Sequence, residues 1–208
     1  MTVEHRPMGP YMTNCYIVTK GEHSLIIDPG VGAYGWVAAH AKKPLAILNT
    51  HGHFDHVWSN AETKKNLDIP IYVPKEDAFM LKNDPLGQGT PSSEADVLVD
   101  GDQTFELGDF SIEYVHVPGH TPGTSLIIID GEVIFSGDFI FQGSIGRVDF
   151  PYSDPLQMKK SIEKFLTRFQ EERVIYPGHN DPTSVMEARQ MLPGWIRHLN
   201  MTLSYARE

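Results

Sequence analysis

The densest group of chemically active side chains in the sequence follows a short apolar run at residues 44–48. Four side chains of the types that bind metals fall within six positions: His51, His53, Asp55 and His56. The short apolar run, bounded by turns, predicts a buried strand that ends where the histidines begin. Residues two apart in an extended chain point to the same side, so His51 and His53 can reach one metal ion. The turn that follows can direct Asp55 and His56 to a second ion. Because burying such groups is costly unless they are coordinated, the spacing predicts a metal site.

Three more ligand-type side chains stand at the ends of later predicted strands. His120 lies in P-G-H-T-P-G, Asp138 in S-G-D and His179 in P-G-H, each directly after a strand. Any one of them alone would be an ordinary turn residue, but the repetition favours a shared site. We predict that seven groups hold two metals: His51, His53 and His120 for one ion, Asp55, His56 and His179 for the other, and Asp138 as the bridge. The remaining histidines show no such grouping and are assigned to the surface or the core: His5, His23, His40, His116 and His198.

Two further residues bear on the predicted metal site. Asp28 ends a predicted strand in a D-P-G turn, where it is either an ordinary turn residue or a carboxylate that orients a metal-bound imidazole. Cys15 is the only cysteine, so no disulfide within the chain is possible, and it is predicted to be a core residue. Any metal must therefore rely on nitrogen and oxygen ligands.

Composition narrows the class of protein. The 208 residues are 40% hydrophobic and 21% charged, which suits one globular domain over residues 1–208. The formal net charge is −10 and basic residues form no run beyond pairs, which disfavours a nucleic-acid partner. No early stretch resembles a signal peptide, and no apolar run approaches the ~20 residues of a membrane span. A cytoplasmic protein without a membrane partner is therefore predicted.

Hydrophobic periodicity predicts strands and helices in alternation. Strands are expected at 14–19, 24–27, 44–48, 69–73, 110–117, 125–129, 132–135 and 173–176, and helices at 31–41, 58–67, 75–82 and 155–169. Residues 83–94 are rich in Gly, Pro and Ser, which predicts a loop that either overlies the site or is a plain connector.

Five motifs together resemble those of the metallo-β-lactamase superfamily in their order and setting. They are D-P-G at 28–30, T-H-G-H-F-D-H at 50–56, P-G-H-T-P-G at 118–123, S-G-D at 136–138 and P-G-H at 177–179. The resemblance covers nearly the whole chain. It implies an α/β (α+β) fold, a four-layer αββα sandwich with two sheets face to face, and a dinuclear metal site at one edge. It also implies the division of ligands given above, with Asp138 bridging and Asp28 in a supporting role.

Residues 137–150 are similar to the corresponding segment of glyoxalase II-like hydrolases, which cleave S-2-hydroxyacylglutathione thioesters. The resemblance implies a thioester hydrolase with two divalent ions, zinc first and iron or manganese as alternatives, acting on a small-molecule thioester. Arg147 falls where the family has a basic residue near glutathione, so it is a candidate substrate contact; a surface pair with Asp149 is its alternative role. Only about 29 residues follow His179, and Asp149 and Asp181 stand where tyrosines are expected. The chain therefore resembles the short branch without the C-terminal helical domain.

In the implied reaction, a water shared by two ions roughly 3.5–4 Å apart loses a proton near neutral pH and attacks the acyl carbon. Asp55 is then a catalytic residue as well as a ligand. The thiolate leaves without a proton donor because thiols are acidic, with a pKa near ~8.5. The main alternative is an iron-dependent persulfide dioxygenase with one iron on His51, His120 and Asp138. Lactonase and β-lactamase activities share the same site, and a catalytically silent metal-binding protein is the alternative from another class.

Overall fold

The first of two large sheets is built from the N-terminal half of the chain. A computed structural model describes residues 1–205. Six strands follow one another across this sheet in chain order: β1 (Thr2–Met8), β2 (Thr13–Lys20), β3 (His23–Ile27), β4 (Pro44–Leu48), β5 (Ile71–Pro74) and β6 (Val97–Val99). The first three are antiparallel, and β3 to β6 are parallel. Parallel pairing requires crossovers, which helices α1 (Ala33–His40), α2 (Phe54–Val57), α3 (Asn60–Leu67) and α4 (Ala78–Asn83) supply in chain order.

The second large sheet comes from the C-terminal half. Its strands are β7 (Gln103–Leu107), β8 (Phe110–His116), β9 (Ser125–Ile129), β10 (Val133–Gly137), β13 (Val174–Pro177) and β14 (Thr183–Ser184), in the spatial order β14-β13-β10-β9-β8-β7. A separate hairpin of β11 (Ile140–Phe141) and β12 (Ser144–Ile145) follows β10. Helix α5 (Pro155–Arg168) connects β10 to its parallel neighbour β13, and α6 (Val185–Tyr205) ends the described chain.

Alternating apolar side chains divide the core into layers. Along β9, Ile127 and Ile129 pack in the cluster between the two sheets, whereas Leu126 and Ile128 pack against α5 and α6. On the other sheet, Ile26 packs outward in the cluster that includes residues of α1. Each fully buried side chain of this kind stabilises the fold by roughly 1.5–3 kcal/mol. The order helices, sheet, sheet, helices confirms the predicted αββα sandwich.

The predicted elements are present with shifted ends. The helix expected at 58–67 begins at Asn60, because residues 54–57 form the separate turn α2. The helix expected at 75–82 is a 3₁₀ turn, Lys75–Asp77, followed by α4. Strands β1, β6, β7, β11, β12 and β14 and helix α6 have no counterpart in the prediction. Among residues 1–205, no helix combines the length and the apolar character needed to cross a bilayer.

Candidate metal centre

The ends of four strands bring the predicted metal ligands to one edge of the sandwich. His51 and His53 lie on the loop after β4, and the next helix, α2, carries Asp55 and His56 in its single turn. His120 lies in the turn between β8 and β9. Asp138 directly follows β10, and His179 follows β13, the parallel neighbour of β10. All seven side chains come together, as the sequence predicts.

The histidines and Asp55 form two compact groups. Ligand atoms of His51, His53 and His120 lie within 4.8 Å of one another, and so do those of Asp55, His56 and His179. Ring centroids of the first group are 4.6–5.1 Å apart. His51 and His56, one from each group, have centroids 4.2 Å apart, so the two groups adjoin.

Asp138 lies between the two groups. Its Oδ1 is 3.2 Å from His56 Nε2, and its Oδ2 is 3.5 Å from both His120 Nε2 and His179 Nε2. One carboxylate thus faces imidazoles of both groups. This is the placement that a bridging ligand requires.

The donor atoms at the centre are buried and lack partners within the protein. The Nε2 atoms of His51, His53, His56 and His120, and Oδ1 of Asp138, make no well-aligned hydrogen bond within the described residues, although His56 Nε2 and Asp138 Oδ1 lie 3.2 Å apart. Buried polar atoms are nearly always satisfied, and five unsatisfied ones pointing to one place need a ligand. Imidazole nitrogens and carboxylate oxygens suit zinc, iron or manganese. The residues therefore fit the metal pair that the sequence predicts.

The other ring nitrogen of several histidines is held by a neighbour. His56 Nδ1 lies 3.0 Å from Asp28 Oδ2, and the same carboxylate accepts hydrogen bonds from Thr50 N and Thr50 Oγ1 at 2.8 and 2.6 Å. The backbone carbonyls of Arg147 and Tyr11 lie 2.9 and 3.1 Å from Nδ1 of His120 and His179, respectively. Asp28 thus contacts His56 as well as ending its strand, which is the placement that its predicted supporting role requires. Such contacts set the orientation and tautomer of metal-binding imidazoles.

Asp77 is a supporting residue that the sequence analysis missed. It is fully buried and accepts hydrogen bonds from Gly52 N at 2.9 Å, Gly123 N at 2.6 Å and Thr121 Oγ1 at 2.6 Å. Gly52 separates His51 from His53, and Thr121 follows His120. One carboxylate therefore joins the two loops that carry the first histidine group. In the sequence Asp77 is an ordinary acid before a helix, so no local signal identifies it.

Burial keeps the first histidine group neutral. It lowers the pKa of His51 well below its usual value, lowers that of His53 to about 3, and lowers that of His120, each with help from neighbouring imidazoles. Neutral imidazole is the form that binds metals, so no proton has to leave these rings at neutral pH.

Carboxylates dominate the second group. Burial opposes the charged form of His56 and His179, but Asp55 and Asp138 outweigh it, raising the pKa of His56 and raising that of His179 to about 9. Burial also opposes ionisation of the two acids, yet the neighbouring His56 and His179 lower the pKa of Asp55 to about 2 and that of Asp138 well below its usual range. Both acids are therefore ionised at neutral pH.

Two glycines allow the strand ends to approach. A Cβ on Gly178 would lie 2.2 Å from Asp138 Oδ1 and 2.6 Å from His56 Cε1. Gly137 adopts a φ of 49° and packs so closely on Thr50 that a Cβ would lie 2.3 Å from its Oγ1. Steric crowding thus explains why the S-G-D and P-G-H motifs have glycine at these positions.

A cavity of about 640 Å³ opens beside the two metal groups. Leu86 and Gln88 from the predicted loop at 83–94 form part of its wall, so this loop borders the site. Arg147 also lines the cavity, while its Nε and one Nη bind Asp149 at 2.8 and 2.7 Å. The predicted pair with Asp149 is present, and the substrate contact of Arg147 stays a prediction.

Comparison with known proteins places the chain in a family. A profile of the metallo-beta-lactamase superfamily matches residues 8–179. The hydroxyacylglutathione hydrolase GloC of Haemophilus influenzae is 31% identical over 207 residues, covering 93% of this chain and 97% of its own. The B3 metallo-beta-lactamase BLEG-1 superposes with a TM-score of 0.85 at 28% identity, covering 93% and 99% of the two chains. TTHA1623, solved in a di-iron-bound form, gives 0.79 at 31% identity, covering 92% and 99%.

The chain belongs to the metallo-beta-lactamase superfamily. This confirms the resemblance inferred from the five motifs, and membership supports a hydrolase with a divalent-metal site. These related proteins include a hydroxyacylglutathione hydrolase, a B3 metallo-beta-lactamase and a protein solved in a di-iron-bound form. Substrate and metal identity therefore have to be argued from the site itself.

Proposed function

We propose that this protein is a dinuclear metal-dependent hydrolase that cleaves thioesters. The observation that supports it most strongly is the set of buried, unpartnered Nε2 atoms that converge with Asp138 Oδ1. A structural role would leave these atoms paired within the protein, because unsatisfied buried polar groups cost about 1–3 kcal/mol each. Five such atoms directed to one place have no simple explanation in packing.

The ligands divide as the distances indicate. We assign them in two sets with a shared carboxylate: His51, His53 and His120; Asp55, His56 and His179; and Asp138 as the bridge. Zinc is our first choice of ion, and the di-iron form of TTHA1623 makes iron its main competitor.

When bound, two divalent ions would supply a water of lowered pKa and polarise the substrate carbonyl. The chain's own residues hold this arrangement in place. Asp28 fixes the ring of His56, and the Thr13 hydroxyl donates to Asp55 Oδ2 at 2.7 Å, which limits rotation of that carboxylate. Asp55, exposed to the cavity, is also the proposed catalytic carboxylate.

A thioester is the substrate class that the site and the relatives favour. The Haemophilus relative is named as a hydroxyacylglutathione hydrolase, and S-2-hydroxyacylglutathione is accordingly our candidate substrate. The leaving group is the thiolate of a thiol whose pKa is about 8.5, so the site needs no separate proton donor for it. Arg147 at the cavity wall is the proposed contact for the charged part of the substrate.

The test is hydrolysis of S-D-lactoylglutathione by protein loaded separately with zinc, iron and manganese. We expect metal-dependent turnover that disappears, together with bound metal, in His51→Ala and Asp138→Ala. His40→Ala, which removes an exposed histidine on α1, is the matched control and should retain both. No turnover of this substrate with metal confirmed bound would refute hydrolysis of S-2-hydroxyacylglutathione, and oxygen consumption with glutathione persulfide would then favour the iron dioxygenase.

A further inference from the structure

The wall of the cavity beside the metal groups is largely aromatic and aliphatic. Its apolar members are Tyr11, Phe54, Leu86, Phe141, Ile145, Phe150 and Pro151. Tyr11 is 54% exposed and Phe150 37% exposed, although large apolar side chains at a surface are usually covered. Apolar side chains clustered at a cavity mouth indicate a binding surface for an apolar group.

Aromatic rings flank both metal groups. The ring of Phe150 lies 6.0 Å from that of His53 and 6.1 Å from that of His120. On the other side, Phe141 lies 6.0 Å from His179. A scissile bond placed among the metal ligands therefore has an aromatic ring on each side, whichever way the substrate lies.

Cationic groups are scarce by comparison. Among the described residues that line the cavity, Arg147 is the only lysine or arginine, and Asp149 already occupies its guanidinium. The guanidinium also lies 4.2 Å above the ring of Phe150. The glutathione part of a thioester carries two carboxylates, and this wall offers them little compensation. The main binding contribution must then come from the other part of the substrate.

The apolar wall is also fixed before any ligand arrives. The carboxylate of Asp84 accepts hydrogen bonds from Gln88 N at 3.1 Å, Gly89 N at 2.7 Å and Thr90 Oγ1 at 3.1 Å. These bonds close the loop that carries Leu86. On the opposite wall, Phe141 belongs to the β11–β12 hairpin. A wall held in this way does not have to be ordered on binding, which favours affinity.

We propose that this cavity is an acyl pocket that selects thioesters with an apolar acyl group of several carbons over those with a short polar one. The inference rests on the proposed thioester hydrolysis and refines its substrate. The acyl group occupies the space between Phe54, Leu86, Phe141 and Phe150. The charged tail of the thiol lies at the mouth beside Arg147 and contributes little to selection.

Binding can be measured without turnover by using S-alkylglutathiones, which are thioethers and cannot be hydrolysed. Titration calorimetry of the metal-loaded protein with S-methyl-, S-butyl- and S-hexylglutathione keeps the charged part constant. We expect Kd to fall about fourfold per added methylene, the value for moving one methylene out of water. A Kd that is unchanged or rises with chain length would overturn the proposal.

Two alanine variants of the cavity wall and one control variant test where the acyl group binds. In the wild type, each added methylene should lower Kd about fourfold. In Phe141→Ala and in Phe150→Ala, each added methylene should lower Kd twofold or less. Tyr152→Ala is the matched control, because Tyr152 lies on the same loop as Phe150 but packs on Phe79 outside the cavity. It should leave the dependence unchanged. If Kd depends on chain length in both cavity variants as it does in the wild type, the acyl group does not bind in this cavity, even if the variants bind the long thioether tightly.

A kinetic comparison separates this inference from the proposed function. S-hexanoylglutathione and S-D-lactoylglutathione share a leaving group, and we expect kcat/KM to be at least tenfold higher for the hexanoyl thioester. Turnover of the lactoyl thioester with no preference for hexanoyl would refute the acyl pocket and retain the hydrolase. Chain-length-dependent binding without hydrolysis of either thioester would retain the pocket and refute the hydrolase.

Discussion

Replacing Asp77 by asparagine should change how the stability of the fold depends on pH. Burial raises the pKa of this carboxyl to about 6, although Thr121, Gly52 and Gly123 donate hydrogen bonds that lower it. In the unfolded chain it returns to its ordinary value of 3.8. A difference of about two in pKa corresponds to roughly 3 kcal/mol in the free energy of unfolding.

The sign of the effect follows from which state holds the proton more tightly. The folded chain keeps the Asp77 proton to higher pH than the unfolded chain does, so ionisation weakens the fold. The stability from the protonated form is fully present below pH ~4 and is lost as the pH rises through about 6. Asparagine cannot ionise. The stability of wild type minus that of Asp77→Asn should therefore fall by up to ~3 kcal/mol between pH 4 and 7.

The assay is urea denaturation of both metal-free proteins at half-unit steps from pH 4 to 7.5. The histidines titrate alike in both proteins, so their effect cancels in the difference between the two stabilities. Any effect of the asparagine amide that does not depend on pH shifts this difference equally at every pH. Thr121→Val removes a hydroxyl that donates to Asp77, so it should move the transition to higher pH. A difference that is flat, or that grows with pH, would show that the three hydrogen bonds outweigh burial and would refute the reasoning.

Three other predictions concern the metal site. Gly178→Ala places a Cβ 2.2 Å from Asp138 Oδ1 and 2.6 Å from His56 Cε1, so we expect metal binding to be lost and the fold to weaken by about 1–3 kcal/mol, as measured by metal analysis and denaturation. Asp28→Asn disturbs the acceptor shared by His56 and Thr50 and should weaken metal affinity roughly 10–100-fold in chelator competition; unchanged affinity would contradict the role of Asp28. Chelation of the metal should lower the free energy of unfolding by about 2.7 kcal/mol relative to protein with free metal at 100 times its Kd, with recovery when metal is restored.

The sequence predicted the site better than it predicted the chain around it. His51 and His53 are recognisable because their spacing matches an extended chain that follows an apolar strand, and both features are local. Strand β1 was missed because Glu4, His5 and Arg6 interrupt any alternation, and the strand is stable through its pairing with β2 at the sheet edge. An edge strand of this kind is stabilised by pairing with its neighbour, which its own hydrophobic pattern does not record.

The supporting contacts were unpredictable because they join residues far apart in the chain. Asp77 is 25 positions from Gly52 and 46 from Gly123, so only the folded chain brings it to them. Asp28 was left with two roles because a D-P-G turn accounts for it without any contact to His56, which lies 28 positions away. Residue type and local spacing indicate candidate ligands, whereas supporting residues are defined by distance in space.

The fold itself orients three of the predicted histidine ligands. The neighbours that hold the Nδ1 atoms come from separate parts of the chain: Asp28 for His56, the Arg147 carbonyl at 2.9 Å for His120 and the Tyr11 carbonyl at 3.1 Å for His179. Asn14 of β2 further binds the carbonyls of Pro177 and Asn180 on either side of the His179 loop, at 3.1 and 2.8 Å. The imidazoles are thus directed inward before an ion arrives, and the entropy of fixing them is lost on folding. Metal affinity should accordingly depend on the supporting residues nearly as strongly as on the ligands themselves.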